Sequence, residues 1–343
     1  MEDDSTRAPA PEEPTPPQET TPETTDRVDL SRLHAAAEEI RAAVGKLVVG
    51  QTELIDMLIV SLFAGGHVLV EGVPGIAKTL TARLLARTID ADYSRIQFTP
   101  DLMPSDVTGT TVLHAAGGTF TFNRGPIFGN LILIDEINRA PAKTQAALFE
   151  VMAEQQVTVD GTTHPLPDPF FVIATQNPIE QEGTYRLPEA QLDRFLLRIV
   201  VDYPNQEEER EILYRYRSDF SQRQIAEVRA VISRDRVAEC RATVESIHLR
   251  DELLDYIAAL VHRTRNHPDL YLGASPRASL AILRLAKAVA GLDGRDFVTP
   301  DDIRRVAFPA LNHRIILTPE REMEGYGAKD VIEEILQGIE IPR

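Results

Sequence analysis

Five short apolar runs, separated by longer stretches of helical periodicity, constrain the fold of this chain more than any other feature. The runs are His67 to Glu71, Arg95 to Phe98, Leu131 to Asp135, Phe170 to Thr175 and Leu196 to Val201. Runs this short, apolar at consecutive positions, have both faces buried, and such strands alternate with helices in a parallel sheet covered on both sides. Leu33, Ile40, Val44 and Leu47 share one face of a first helix ahead of them. After Tyr203-Pro204 the strand signal stops, and Glu207 to Ser218, Val244 to Arg265, Ser279 to Ala290 and Pro300 to Val306 read as helices. The expected organisation is an α/β domain over residues 27–203 and a smaller all-α domain over 204–343. Residues 1–26 carry eight acids against one base, Arg7, among Pro and Thr, and are expected to be disordered because they can bury little.

Between the first run and the next helix stands Gly72-Val73-Pro74-Gly75-Ile76-Ala77-Lys78-Thr79, followed by Leu80. A glycine-rich turn between strand and helix, closed by Lys-Thr, is the pattern that cradles phosphates. Backbone N–H groups and the helix N-terminus face the oxygens, Lys78 reaches the β/γ-phosphates and Thr79 holds Mg²⁺. Ala77 departs from the pattern, which has glycine before the lysine. The third run ends in Asp135-Glu136, placing two carboxylates at the C-terminal edge of a buried strand, 57 residues after Lys78. Ligands gather at that edge of open α/β sheets. Asp135 suits Mg²⁺, and Glu136 suits polarising a water that attacks the γ-phosphorus. Either motif alone could be an ordinary turn; the two together, each after a strand, point to a nucleoside triphosphate.

GVPGIAKT, LILIDEINRAPAKTQAALFEVM, ATQNPIEQEGTYRLPEAQLDRF and GASPRA occur in that order. Over roughly residues 30 to 340 the chain resembles the MoxR-type AAA+ ATPases, whose pattern also carries the alanine found at position 77. The resemblance implies a P-loop parallel αβα sheet domain followed by a helical lid. It implies ATP and Mg²⁺ as ligands, a ring of hexameric size, protein clients, and a von Willebrand factor A domain protein as partner. It matches Gln51 in Val49-Gly50-Gln51 to the segment near the adenine, Asn177 to the sensor that orients the attacking water, Arg194 to the arginine finger and Arg277 to the second sensor on the lid. An amide that donates and accepts suits the first sensor, and a forked, permanent charge suits a phosphoryl transition state. On residue type alone, Asn177 could start a turn and Arg194 or Arg277 could be a surface charge. Thr110 to Phe122 resembles the family's hairpin inside the second helix. Gln155 to Val159, with the Asp160-Gly161 turn, suggests another. Arg139 and Lys143 follow the acidic pair.

A formal charge of −17, with acids in excess beyond the first 26 residues too, argues against a surface for nucleic-acid phosphates, so stable nucleic-acid binding is not expected. A related nucleic-acid motor and a nucleotide-gated scaffold are the rival readings; Glu136 and Arg194 weigh against the scaffold. Cys240 is the single cysteine, no positive-then-apolar leader precedes the fold, and no apolar run approaches a membrane span. These features predict a reducing cytoplasmic location. The eight histidines show no zinc spacing.

Overall fold

A computed structural model describes residues 27–114, 118–178, 183–217 and 227–342; the acidic 1–26 segment lies outside the described residues. In chain order the elements open with α1 (Ser31–Gly45), α2 (Thr52–Ala64), β1 (Val68–Gly72), α3 (Lys78–Arg87), β2 (Ile89–Asp90), β3 (Tyr93–Gln97) and α4 (Pro104–Thr108). They continue with β4 (Gly109–His114), β5 (Thr119–Arg124), β6 (Leu131–Asp135), α5 (Ala142–Glu154), β7 (Gln156–Val159), β8 (Thr162–Pro165), β9 (Phe171–Gln176), α6 (Glu189–Leu192) and β10 (Leu197–Val201). Then come α7 (Gln206–Tyr216), β11 (Ile232–Ser233), α8 (Arg234–Ser246), α9 (Asp251–Arg265), β12 (Leu270–Leu272), α10 (Pro276–Leu292), α11 (Pro300–Leu311), β13 (Ile316–Leu317), α12 (Pro319–Met323) and α13 (Ala328–Gln337).

Five strands form one parallel sheet in the order β10-β1-β9-β6-β3. Alternate residues serve opposite faces, as the two-residue strand period requires. Val68, Val70, Leu131, Leu133, Phe171 and Ile173 join one apolar cluster. Leu69, Ile132, Ile134, Val172 and Ala174 join the other. Each such side chain, fully buried, contributes about 1.5–3 kcal/mol, which is why the runs are apolar at consecutive positions. Because the strands run parallel, all five C-terminal ends share one edge. The turn after β1 and the carboxylates after β6 are therefore brought together.

Beyond residue 204 the chain is helical with additions that the periodicity did not announce. Ile232-Ser233 pairs with β2, and Leu270–Leu272 pairs antiparallel with Ile316–Leu317. The expected helix over 244–265 is interrupted: α8 stops at Ser246 and α9 starts at Asp251. Ile247 turns extended, and the backbone of His248 is taken by Asp296 and Val298, whose partner groups lie at 2.9 and 3.0 Å. The α8 and α10 helices bury against α1 and α2, so helices from both ends of the chain share one apolar cluster. Cys240 is buried within it, and burial pushes its thiol up to about 11.

Both hairpins are present. β4 pairs with β5 and β7 with β8, the latter through Asp160 and Gly161, both at positive φ as a tight two-residue hairpin turn needs. They touch: Thr111 Oγ1 donates to Asp160 at 2.6 Å, and the Phe122 and His164 rings stack at 4.4 Å. The first hairpin follows α4 directly. Among the described residues no second helical half follows it before β6.

Candidate functional site

At the C-terminal edge of the sheet, Pro74, Gly75, Ala77, Lys78, Thr79, Leu80, Arg83, Arg95, Glu136, Thr175, Gln176 and Asn177 line a cavity of about 620 Å³. Gly75 and Ala77 both sit in the left-handed region, at φ +86° and +64°. That geometry explains the glycine usual at position 77: a side chain there costs roughly 1–2 kcal/mol. Alternating left-handed residues ahead of a helix turn successive N–H groups toward one point, a concavity for an anion. A Cβ on Gly75 would meet nothing within 4 Å, so the turn is open to a ligand. Lys78 Nζ donates to the carbonyl of Gly72 and to that of Gln176 at 3.1 Å, which holds its charge across the mouth. Val73 and Ile76, by contrast, pack against the core and contribute backbone alone.

Behind the cradle Thr79 Oγ1 donates to Asp135 Oδ1 at 2.8 Å, and Thr175 Oγ1 donates to the same oxygen at 3.2 Å. A hydroxyl and a carboxylate oxygen, both hard donors side by side, fit Mg²⁺. Arg95 Nε donates to Asp135 Oδ2 at 2.6 Å. The Glu136 carboxylate receives Gln97 Nε2 at 2.7 Å and stands 3.3 Å from Arg139 Nε. Glu136 itself is left-handed, at φ +56°, and its N–H donates to Thr175 Oγ1 at 3.1 Å. Asn177 is buried at the end of β9, with its carbonyl accepting from Asn138 at 3.4 Å.

Arg95, Gln97 and Thr175 were not singled out by the sequence. Their signal is register. Gln97 lies opposite Asp135, and Arg95, two residues back, shares its face.

The remaining expected site residues lie elsewhere. Gln51, also left-handed, donates to the Asp202 carbonyl at 3.5 Å in a separate depression of about 340 Å³, formed with Ile199 to Tyr203 and Glu208. Val201 pairs with Gly72, so this depression flanks the strand end that feeds the cradle. Arg186 lines a third depression, of about 370 Å³, together with Gln176 and Asn177. Lys143 lies in the first turn of α5 and lines none of these cavities.

Arg194 and Arg277 meet at the opposite edge of the sheet. They line a cavity of about 310 Å³ with Gly66, His67, Arg284 and Arg314. His67 immediately precedes β1, whereas Lys78 lies beyond its far end. Five residues at about 3.3 Å each put roughly 16 Å of strand between the two sites. Arg194 Nη1 donates to the Phe149 carbonyl at 3.1 Å. Asp193 anchors the group, with Arg314 Nε at 2.7 Å and Arg277 Nη1 at 3.7 Å. Burial lowers the Arg314 pKa, Asp193 works against that, and the charge of Arg277 adds to it. An arginine stays protonated under any such shift.

A five-stranded parallel sheet with this cradle, an acidic pair on the adjoining strand end and a helical lid defines a P-loop nucleoside triphosphatase of the AAA+ class. Residues 67–197 match the family described as ATPase family associated with various cellular activities (AAA), and residues 262–335 match the AAA lid domain. Chaperone MoxR1 of Mycobacterium tuberculosis is 41% identical over 92% of this chain and 84% of its own. Protein MoxR of Paracoccus denitrificans is 33% identical over 86% of this chain and 92% of its own. The solved structure of a candidate ATPase from Cytophaga hutchinsonii superposes with a TM-score of 0.82 at 45% identity, covering 90% of this chain and 96% of that one. The chain belongs to the MoxR family of AAA+ ATPases. No helix among the described residues is long and apolar enough to cross a membrane.

Proposed function

We propose that this ATPase works as a hexameric ring that couples ATP hydrolysis to the maturation or assembly of protein clients, in company with a von Willebrand factor A domain partner. The working division is a nucleotide-binding unit over 27–203 and a lid over 204–343. In this reading the backbone from Gly72 to Leu80 and the Lys78 ammonium bind the phosphates, and Gln51 borders the base. Thr79 and Asp135 would hold Mg²⁺, which supplies charge neutralisation between the β- and γ-phosphates. Glu136 takes the proton of the attacking water and Asn177 orients that water. Gln97 and Arg139 both engage Oε2 of that carboxylate, and Oε1 is the oxygen that takes the proton.

The observation that carries the ring is the opposite-edge placement of Arg194 and Arg277. Neither lines the phosphate cavity of its own chain. Two arginines in one cavity, remote from their own cradle, supply charge to another subunit's γ-phosphate, so both act in trans. The test is complementation: Arg194→Ala and Lys78→Ala subunits are each expected near background. Mixed after subunit exchange, they should regain ATPase activity, because a Lys78→Ala neighbour still delivers Arg194 to an intact cradle. A flat rate at every mixing ratio overturns the in-trans assignment. Strong stimulation of the wild type by single-stranded DNA would favour a nucleic-acid motor instead.

A further inference from the structure

The Asp193 carboxylate stands next to Arg194 in sequence, yet its partners come from the other half of the chain. Oδ1 accepts from Arg314 Nε at 2.7 Å, and Oδ2 accepts from Ser275 Oγ at 2.8 Å. Ser275 is the N-cap of α10, its Oγ accepting from the N–H of Arg277 at 3.1 Å. One carboxylate therefore touches the residue that starts the Arg277 helix while belonging to the loop that carries Arg194.

Arg314 fixes that loop from beneath. Its side chain is 3% exposed, and all five N–H donors are engaged. Nε serves the Asp193 carboxylate; Nη1 donates to the Leu196 and Ala310 carbonyls at 3.0 and 2.5 Å; Nη2 donates to the Asp193 and Phe195 carbonyls at 3.2 and 2.6 Å. The two preceding residues extend the clamp. Asn312 Nδ2 donates to the Arg198 carbonyl at 3.0 Å and its Oδ1 accepts from Arg198 Nε at 2.9 Å, while His313 Nε2 lies 3.2 Å from the Phe195 carbonyl. Asn312, His313 and Arg314, at the end of α11, thus hold the backbone carbonyls of residues 193, 195, 196 and 198, the stretch leading into β10.

A buried guanidinium with a single counter-charge adds little to stability over a well-packed apolar group, and its attested use is to fix register. Here the register is that of the Arg194 loop against the Arg277 helix. We propose that Asp193, Ser275 and Arg314 are positioning residues for hydrolysis, a relay that locks the finger loop to the lid so that Arg194 and Arg277 reach the neighbouring subunit's nucleotide together. The relay rests on the in-trans reading above. It touches no nucleotide itself. A lid displaced by nucleotide in its own subunit would carry Ser275 and Arg314 with it, and so would withdraw or present both arginines at the next site.

The complementation assay tests this with direction. Asp193→Asn, which keeps size and the bond to Ser275, is placed either in the finger-donating subunit (with Lys78→Ala) or in the finger-receiving subunit (with Arg194→Ala). Donor placement should lower the rescued ATPase rate about 10- to 100-fold, the effect of misplacing a reacting group by around an ångström. Receiver placement should leave it within about twofold, with the affinity of the receiver for a fluorescent ATP analogue unchanged. Equal losses in both placements mean ordinary structural support and overturn the relay; so does no loss in either. Should Asp193→Asn lack a cooperative melting transition, Ser275→Ala replaces it in the same two placements. That variant removes one neutral hydrogen bond, for an expected donor-side loss of about 3- to 10-fold, and absence of asymmetry again overturns the relay. Failure of the parent mixture to show any rescue would instead remove the in-trans reading, and the relay with it.

Discussion

His67 gives the protein a stability that depends on pH in a calculable way. The ring is buried, with 7% of the residue exposed, between β1, β9 and the end of α5. Its Nδ1 accepts the Val172 N–H at 3.1 Å, Nε2 faces the Met152 carbonyl at 3.3 Å, and Phe170 packs edge-on at 5.3 Å. This is a neutral imidazole with the proton on Nε2. A second proton would turn Nδ1 from acceptor to donor against the Val172 N–H, and beside Arg241. Burial, with Arg241 adding, lowers its pKa from 6.5 to about 4. The unfolded chain therefore binds a proton that the folded chain refuses over that interval, so stability is full above pH 6.5 and is lost as pH falls toward 4. At about 1.4 kcal/mol per pH unit, acidification to pH 5 removes about 2 kcal/mol through His67 alone. His313 is also held well below its ordinary value, chiefly by burial and next by Arg314 and Arg198, and acts in the same direction. The depressed carboxylates Asp269 and Asp302 lose their contribution only below the ordinary carboxylate range, outside this window. The assay is urea unfolding of the nucleotide-free chain at pH 7.5 and 5, for wild type and for His67→Asn, whose amide donates and accepts but does not titrate. The variant is weaker at pH 7.5 and loses about 2 kcal/mol less on acidification. Identical losses in the two proteins would refute the neutral buried imidazole.

Four further outcomes are expected at the cradle and the tail. Lys78→Ala should weaken ATP binding by about 10- to 100-fold by calorimetry, the range for a charged hydrogen bond; unchanged affinity would move the γ-phosphate contact elsewhere. Glu136→Gln should bind ATP normally and hydrolyse it about 10²- to 10⁴-fold more slowly in single-turnover assays. Ala77→Gly relieves roughly 1–2 kcal/mol of left-handed strain and adds about 0.4–1 kcal/mol of unfolded-chain freedom. It should therefore leave stability equal or slightly raised, with ATPase retained, and a clear drop in melting temperature would contradict the positive φ. Removing residues 1–26 should change neither ATPase rate nor melting temperature, since a segment of so polar a composition can bury little.

What could be read from the sequence was what is contiguous in it. The central strands β1, β9 and β6 were legible because burial on both faces leaves an unbroken apolar run, and the cradle because its groups lie within nine residues; the edge strands are fainter, β10 burying alternate residues and β3 only Ile96. The break between α8 and α9 was not. Ile247 stays buried and keeps the apolar spacing, and the interruption comes from His248 pairing with the segment around Phe297, some fifty residues on. The ribbon of β12 and β13 was equally silent, because two or three residues cannot display a period. At the site, Arg95 and Gln97 acquire meaning only from the register of β3 against Asp135. The cavity holding Arg194 draws on residues near 66, 153, 194, 280 and 314, a set that no local pattern brings together.

The proposed ring would give the fold a particular kind of communication. All five parallel strands end at the cradle's edge, whereas Arg194 and Arg277 line a cavity at the other edge; in the proposed ring they therefore serve the next copy's site. In that ring a second copy presents its opposite edge to the cradle, and such a contact is heterologous, head to tail, the kind that closes into a ring or runs on as a filament. The β1 strand spans both edges: its C-terminal end feeds the cradle, and the residues before it, Gly66 and His67, floor the arginine cavity. The lid meets that second cavity through Arg277, Arg284 and Arg314. In the proposed ring, a change in one cradle that shifts the lid would act first on the next subunit's chemistry, giving the assembly a direction that a symmetric dimer of the same chain would lack.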